Sequence, residues 1–237
     1  MKKLVQRFTK NEKGRDLIIG DIHGCFTKMG AALRAIGFNP EKGDRLFSVG
    51  DLVDRGPESI EALNFITCDF VHAVAGNHED MAVRWPDGNM PADNYRANGG
   101  AWMIALDRET QLEVSAELSA LPIAIELETE HGLVGIVHAE CPFSEWQAFT
   151  AKLEDPSLSS RYMQQMIDAA QWARERINSG DDSMVAGVRA VVVGHTPMPQ
   201  MTSLGNTLFI DTMGWSPEGN FTILDAETLQ PARKVSP

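Results

Sequence analysis

The 237-residue sequence has little cysteine, fewer basic than acidic residues, and no long apolar run. No apolar stretch approaches the roughly 20 residues that span a bilayer, and the basic residues 1–7 lack the apolar core of a secretion signal. The formal net charge of -12 excludes a general nucleic-acid surface, which needs clustered lysine and arginine. The three cysteines are widely spaced, which favours reduced thiols over disulfides. We therefore expect a cytoplasmic protein without nucleic-acid or membrane partners.

Short apolar runs alternate with helical patterns over the first 80 residues. The runs 16–19, 46–49 and 71–75 are rich in β-branched residues and lead into Gly20-Asp21, Gly50-Asp51 and Gly76-Asn77. Successive runs are separated by about 30 residues, which fits a strand–helix–strand crossover. Since right-handed crossovers bring the carboxyl ends of parallel strands to one sheet edge, the three polar clusters are expected to converge there.

The rest of the chain predicts a second group of strands and a helical insertion. Residues 1–15 have the composition of a polar lead-in, whereas 141–187 is predicted as a helical excursion that shapes a substrate groove. Strands alternate with helices early in the chain, and the later strands have antiparallel patterns. This order favours a single α/β domain over residues 1–237, with two packed sheets and helices outside. The later strands are predicted at 123–128, 133–137, 190–193, 207–210 and 221–224.

Oxygen and imidazole donors follow five of these predicted strands, without any sulfur donor among them. Such a set suits Mn, Fe or Zn, and it is too large for one tetrahedral ion but reasonable for two divalent ions that share a carboxylate. Each member alone has an ordinary explanation as a cap, a turn or a core histidine, so the prediction rests on their coincidence. His72 and His131 are assigned ordinary structural roles. The predicted metal ligands are Asp21, His23, Asp51, Asn77, His138 and His195.

The candidate ligands lie in five short blocks of the sequence. The blocks are Gly-Asp-Ile-His-Gly at 20–24, Gly-Asp-Leu-Val-Asp-Arg-Gly at 50–56, Gly-Asn-His-Glu at 76–79, His138-Ala139 and Gly194-His195. Together they resemble the metal-binding motifs of the phosphoprotein phosphatase family of metallophosphoesterases. Within that family, the chain is similar to the lambda-type bacteriophage and bacterial serine/threonine phosphatases. The resemblance implies a four-layer α-β-β-α sandwich with two mixed sheets and a phosphomonoester hydrolase acting on phosphorylated proteins.

The same resemblance assigns roles to the candidate ligands. Asp21 and His23 would hold the first metal, and Asn77, His138 and His195 the second. Asp51 would bridge the two ions, and a hydroxide between them would attack phosphorus directly.

A serine alkoxide leaving group needs a proton, which we assign to His78, with Asp54 orienting its ring. Arg55 and Asn77 are predicted to contact the phosphate. Arg174 matches a second phosphate-binding arginine of the family, with Arg176 as the fallback. The alternative for Arg174 is a helix-end surface pair with Glu175 or Asp168.

Some positions depart from the family pattern or leave alternatives open. Glu140 stands where aspartate is common, and Met213 and Trp215 stand where smaller residues are usual. The resemblance also covers diadenosine tetraphosphatases, which cleave symmetrically and usually have aspartate where this chain has Glu79. A catalytically inactive phosphoprotein-binding module is a third interpretation. Activity on phosphotyrosine or phosphohistidine, the native metal and the oligomeric state stay open.

Overall fold

The computed structural model describes residues 3–233, and its strands form two mixed sheets. The central strands are short and rich in buried Leu, Ile and Val, which fit a pleated surface covered on both faces. In chain order the strands are β1 (Val5–Phe8), β2 (Asp16–Ile19), β3 (Arg45–Ser48), β4 (Val71–Ala73), β5 (Ala124–Thr129), β6 (Gly132–Val137), β7 (Ala190–Val193), β8 (Thr202–Leu204), β9 (Thr207–Phe209), β10 (Ile223–Asp225) and β11 (Gln230–Pro231).

Helices lie between β2 and β3, between β3 and β4, and between β6 and β7, and they occupy most of residues 77–119 and 146–179. Short 3-10 turns precede β3 at Pro40–Lys42 and the second helix at Ser59–Glu61. The α-helices are α1 (Phe26–Ala35), α2 (Ala62–Ile66), α3 (Asn77–Arg84), α4 (Ala92–Ala97), α5 (Ala101–Ile104), α6 (Arg108–Ser119), α7 (Trp146–Leu153), α8 (Ser160–Trp172) and α9 (Glu175–Ser179).

The two sheets have different strand orders. One sheet is ordered β1-β5-β6-β7-β9-β8, and the other is ordered β11-β10-β2-β3-β4. Strands β2, β3 and β4 run parallel to one another, as do β6 and β7 in the other sheet. The carboxyl ends of the strands within each of these parallel sets therefore lie at a common sheet edge.

Alternate residues of each central strand face two different apolar layers. Ile18 and Phe47 of one sheet pack with Ile136 and Val192 of the other, which forms the layer between the sheets. Their neighbour Leu17 belongs to a second cluster that includes Met29 and Leu33 of α1 and covers the outer faces of the sheets. Because successive strand residues point to opposite faces, this division produces the predicted four-layer α-β-β-α sandwich. The predicted fold class is confirmed.

Some predicted elements need correction. Residues 1–15 are not only a polar lead-in, because β1 pairs in parallel with β5 and places Val5 opposite Ala124. Of the residues between β3 and β4, Ser59–Glu61 form a 3-10 turn, and α2 starts at Ala62. Strands β8 and β11 were not predicted. The ends of the predicted domain, residues 1–2 and 234–237, lie outside the described residues, and the single-domain assignment stays a prediction.

The helical prediction for residues 141–187 corresponds to α7, α8 and α9. Its role in shaping a substrate groove stays a prediction. Within residues 3–233, none of the helices combines the length and the apolar character that crossing a membrane would require.

Candidate metal centre and active site

The predicted ligands lie just beyond the carboxyl ends of strands in both sheets. Asp21 and His23 follow β2, Asp51 follows β3, and Asn77 starts α3 after β4. His138 and His195 follow β6 and β7 of the other sheet. All of these side chains are at least 95% buried. Both sheets therefore contribute donors to one buried cluster.

The backbone around this cluster is unusual. Several non-glycine residues have positive φ, a region that L-residues adopt only when the surrounding structure enforces it. Such residues concentrate at functional sites, and here they lie in the loops that follow β2, β3 and β7. They are His23 (46°), Asp51 (51°), Asp54 (69°), Arg55 (64°) and His195 (63°).

Each ligand histidine has one ring nitrogen beside a backbone carbonyl, and this contact defines its tautomer. The Nδ1 of His23 is 2.9 Å from the Val53 carbonyl, and the Nδ1 of His138 is 2.7 Å from that of Val49. Because a carbonyl only accepts, these nitrogens carry the proton, and the Nε2 atoms present lone pairs. His195 is reversed, since its Nε2 lies 3.2 Å from the carbonyl of Trp172.

The remaining ring nitrogens converge on oxygen atoms that are also acceptors. The Oδ1 of Asn77 lies 2.9 Å from the Nε2 of His138 and 2.8 Å from the Nδ1 of His195. The Oδ1 of Asp51 lies 3.3 Å from the same His138 atom, and its Oδ2 lies 3.5 Å from the Nε2 of His23. Lone pairs facing lone pairs repel one another unless a cation lies between them. The donor set therefore fits divalent metal ions.

Asp51 belongs to two compact sets of donor atoms, each spanning less than 4.8 Å. One set joins it to His23 and His78, and the other joins it to His138 and His195. This is the position expected for a bridging carboxylate. Asp21 is in neither set, and its carboxylate oxygens accept the backbone N–H of His195 at 3.1 and 3.2 Å.

Burial controls the charge of the site. It lowers the pKa of His23 to about 3, and burial with the neighbouring His138 lowers the pKa of His195 to about 3. These imidazoles are therefore neutral near pH 7, as ligands must be. Burial, together with the nearby carboxylates of Asp211 and Asp51, raises the pKa of Asp21. A cation would balance this group of buried carboxylates.

His78 and Asp54 form a buried pair beside the metal-ligand cluster. The Nδ1 of His78 lies 2.7 Å from the Oδ2 of Asp54. Burial opposes a charge on the imidazole, but Asp51 and Asp54 outweigh it and raise the pKa of His78. The other oxygen of Asp54 accepts the indole N–H of Trp102 at 2.7 Å. Trp102, at the start of α5, was not among the predicted site residues.

The candidate phosphate-binding arginines have different environments. The Nη2 of Arg55 lies 3.3 Å from the Nε2 of His78, so its guanidinium is at the site. The Nη2 of Arg174 donates to the carbonyl of His195 at 3.2 Å, which also places it at the cluster. Arg176 is buried and donates to the carbonyls of Asp181 and Ser183. Its contacts are those of a loop support.

Glu79 organises the backbone of the metal-ligand loops. Its buried carboxylate accepts the N–H groups of Asp51 at 2.8 Å, Leu52 at 2.8 Å and Gly76 at 2.7 Å. It therefore joins the loop after β3 to the first turn of α3. The Gly-Asn-His-Glu block could have indicated this role, because a glutamate three residues after an N-cap commonly reaches back to the backbone.

Gln171 links α8 to the same loop. Its side-chain amide donates to the carbonyls of Ala75 and Gly76 at 3.1 Å each. No pattern in the sequence indicated this contact.

The remaining polar residues considered from the sequence lie away from the cluster. His72 packs between Phe8 and Phe47, and His131 is exposed and pairs with Glu227. The carboxylate of Glu140 accepts the backbone N–H of Arg176 near the start of α9. These contacts are structural ones.

Comparison with known proteins identifies the family to which this site belongs. The model of a family described as calcineurin-like phosphoesterase matches residues 15–208. Serine/threonine-protein phosphatase 1 of Salmonella typhimurium (strain LT2) is 33% identical over 202 residues, which cover 82% of this chain and 84% of that protein.

A second relative has a different activity in its name. Bis(5'-nucleosyl)-tetraphosphatase PrpE [asymmetrical] of Bacillus subtilis is 27% identical over 82% of this chain and 84% of its own length.

Among solved structures, a cold-active protein tyrosine phosphatase superposes with a TM-score of 0.63. Its identity is 16%, and the match covers 94% of this chain and 76% of that one. This structural likeness concerns the fold alone.

Proposed function

The chain belongs to the calcineurin-like phosphoesterase family of metal-dependent hydrolases, and we propose that it is a serine/threonine protein phosphatase. The sequence-based resemblance to metallophosphoesterases is confirmed by this membership. The specific activity is inferred from the chemistry of the site. The name of the Salmonella relative gives independent support.

The observation that carries the proposal is the His78–Asp54 pair. Phosphoserine hydrolysis expels an alkoxide, which is strongly basic and needs a proton as it leaves. The Nδ1 of His78 donates to Asp54 at 2.7 Å, and the carboxylates of Asp51 and Asp54 raise the pKa of His78, which favours the protonated ring that a general acid requires. A nucleotide leaving group needs this help far less, because its phosphate is only weakly basic. A fixed acid is therefore most useful to a phosphomonoesterase acting on alcohols.

The residues proposed to hold the cations are Asp21 and His23 for one ion, Asn77, His138 and His195 for the other, and Asp51 for both. All six are buried, and His23, Asp51, His138 and His195 lie in the two compact donor sets. Two divalent ions in such a site supply an activated water at neutral pH and offset the phosphate charge. The imidazoles contribute neutral donors, and the carbonyls of Val49, Val53 and Trp172 fix their orientation.

Two arginines are placed to bind the phosphate. Arg55 lies beside the proposed general acid His78, and Arg174 donates to the carbonyl of His195. A guanidinium binds two phosphate oxygens at once, so it fixes both the position and the rotation of the group. This would hold the leaving oxygen toward the Nε2 of His78.

The alternative function is hydrolysis of dinucleoside tetraphosphates, which the Bacillus subtilis relative supports by name. The alternative drawn from the sequence resemblance is the symmetrical type. A relative named as a symmetrical tetraphosphatase is 33% identical over 60% of this chain and 49% of its own length, whereas the Bacillus subtilis relative is an asymmetrical enzyme. Glu79 favours the protein phosphatase, because the symmetrical tetraphosphatases of the family usually have aspartate at this position. Its carboxylate accepts four backbone N–H groups, those of Asp51, Leu52, Val53 and Gly76.

A direct comparison of substrates tests the proposal. The Mn-loaded protein is assayed on a phosphoserine peptide, on diadenosine tetraphosphate and on p-nitrophenyl phosphate at equal concentrations. We expect the phosphopeptide to be cleaved with the higher kcat/KM of the two biological substrates. A tetraphosphate preference of tenfold or more would overturn the proposal, and the products would then distinguish symmetrical from asymmetrical cleavage. Failure on every substrate, despite full metal occupancy, would favour an inactive binding module.

A further inference from the structure

The indole ring of Trp215 lies against the guanidinium of Arg55. The Cζ of Arg55 is 4.6 Å from the ring centroid, well inside the range of a cation–π contact. The same ring meets the imidazole of His23 edge to face, at 5.3 Å and 86°. Trp215 is therefore in contact with both Arg55, a predicted phosphate-binding residue, and His23, a predicted metal ligand.

Arg55 has few other restraints on its side chain. The residue is exposed, and within residues 3–233 no carboxylate lies close enough to form an ion pair with it. Its other polar contact is the one with the Nε2 of His78 at 3.3 Å. A long, exposed arginine with so few contacts would sample many rotamers without the indole beside it, and it would lose that freedom on binding a ligand.

The loop that presents Trp215, residues 213–219, is fastened to the start of α1. The Nζ of Lys28 donates to the carbonyls of Ser216 and Gly219 at 2.7 Å each. The thiol of Cys25 donates to the Trp215 carbonyl at 3.4 Å. A side chain at Gly219 would collide with the carbonyl of Met213, so the tight turn requires glycine. The position of the indole is therefore built into the fold.

We propose that Trp215 is a positioning residue that holds Arg55 in its phosphate-binding orientation. This rests on the proposed phosphate-binding role of Arg55 and does not depend on which phosphate ester is the substrate. By restricting the guanidinium before the ligand arrives, the indole face reduces the ordering that binding requires. Trp215 is also a position where the sequence departs from the pattern of the family it resembles, so the arrangement is a feature of this chain.

The test measures phosphate affinity without turnover and then asks whether the effect needs Arg55. Isothermal titration with inorganic phosphate is performed on Mn-loaded wild type, Trp215→Leu, Trp215→Phe, Arg55→Ala and the double variant Arg55→Ala/Trp215→Leu. We expect Trp215→Leu to weaken phosphate binding about fivefold, because the cation–π contact is lost. Trp215→Phe keeps an aromatic face and should stay within about twofold of wild type. In the Arg55→Ala background, Trp215→Leu should have no further effect.

Kinetics on p-nitrophenyl phosphate provide the second readout. Trp215→Leu should raise KM and the inhibition constant for phosphate by similar factors and leave kcat within about twofold, since the contact exists before the transition state. An undiminished effect of Trp215→Leu in the Arg55→Ala background would overturn the proposal. Loss of bound manganese in Trp215→Leu would overturn it too, because the ring would then act through His23.

Two further controls distinguish misfolding of Trp215→Leu, and failure of the proposed function, from failure of the proposed role of Trp215. If Trp215→Leu does not fold, Lys28→Gln releases the loop without touching the ring and should weaken phosphate binding in the same direction. An unchanged phosphate affinity in folded Lys28→Gln and Trp215→Met would contradict the proposal. Absence of phosphopeptide hydrolysis with the expected phosphate affinities would remove the proposed function and leave the role of Trp215 supported.

Discussion

The carboxylate of Asp54 is held from two sides, by the Nδ1 of His78 at 2.7 Å and by the indole N–H of Trp102 at 2.7 Å. The carboxylate is fully buried, so each charge-assisted bond has more influence than it would at the surface. The orientation of His78, the proposed general acid, therefore depends on a tryptophan 48 positions along the chain from Asp54.

Replacing His78 with asparagine should lower kcat more for substrates whose leaving group is strongly basic than for those whose leaving group is weakly basic. We expect kcat on a phosphoserine peptide to fall about 100-fold or more, because a general acid contributes that much to such a reaction. Hydrolysis of p-nitrophenyl phosphate, which expels a weakly basic phenolate, should fall less than about tenfold. His131→Asn is the matched control, since that histidine is largely exposed. Equal losses on both substrates would contradict the acid role.

Replacing Trp102 with phenylalanine removes one donor to Asp54 and keeps most of the packing. We expect the free energy of unfolding to fall by about 2 kcal/mol, which is typical of a lost hydrogen bond to a buried charge. The kcat on phosphoserine should fall more than that on p-nitrophenyl phosphate. Urea denaturation and parallel kinetics measure both effects. Trp172→Phe, whose backbone and not its indole contacts the cluster, is the control. If the ratio of kcat on phosphoserine to kcat on p-nitrophenyl phosphate is the same as in wild type, Trp102 only supports packing.

Replacing Asp51 with asparagine should weaken both metal sites at once. The side chain lies in both compact donor sets, and an amide is a poorer ligand than a carboxylate for divalent ions. Titration with Mn²⁺, followed by elemental analysis after desalting, should give less than one ion per chain. Asp93→Asn is the control, because that carboxylate is fully exposed. Two tightly held ions in Asp51→Asn would refute the bridging assignment.

The imidazole of His72 should make stability depend on pH. Burial, aided by the positive charge of Arg45, lowers the pKa of His72 to about 4, although Asp16 acts in the opposite direction. In the unfolded chain it titrates near the ordinary value of about 6.5. The unfolded state therefore binds the proton first, and stability is lost as pH falls from about 6.5 toward the folded pKa.

A matched variant isolates this contribution. The ligand histidines also have lowered pKa values, so wild type alone would not identify the source. We expect the advantage of wild type over His72→Gln, measured by urea unfolding, to shrink between pH 7 and pH 4. His131→Gln should show no such change. A constant difference across that range would show that His72 does not contribute.

The sequence predicted the strand ends well, for a clear physical reason. Runs such as Ala190–Val193 are buried on both faces, so they consist of apolar residues, and the polar residue that follows marks the end. Strand β1 was missed because only Val5 is fully buried, and Gln6 and Arg7 gave it the composition of a lead-in. Its pairing with β5, more than 100 residues away, left no local signal.

Support residues were harder to predict than the candidate ligands. Asp51 and His138 follow recognisable strand patterns, whereas Trp102 and Gln171 contact the site only through the packing of helices. Gln171 reaches the carbonyl of Gly76 across 95 positions of sequence. Such contacts depend on tertiary placement, which neither composition nor periodicity encodes.

The donor side chains come from two different sheets, and this has a consequence for stability. Any ion held jointly by Asn77 of one sheet and His138 of the other would bind the native state and not the unfolded chain. By mass action, the melting temperature should then rise with the free manganese concentration, and a chelator should lower it. Resistance to proteases should follow the same dependence. For this chain, the supply of metal would therefore govern its lifetime as well as its turnover.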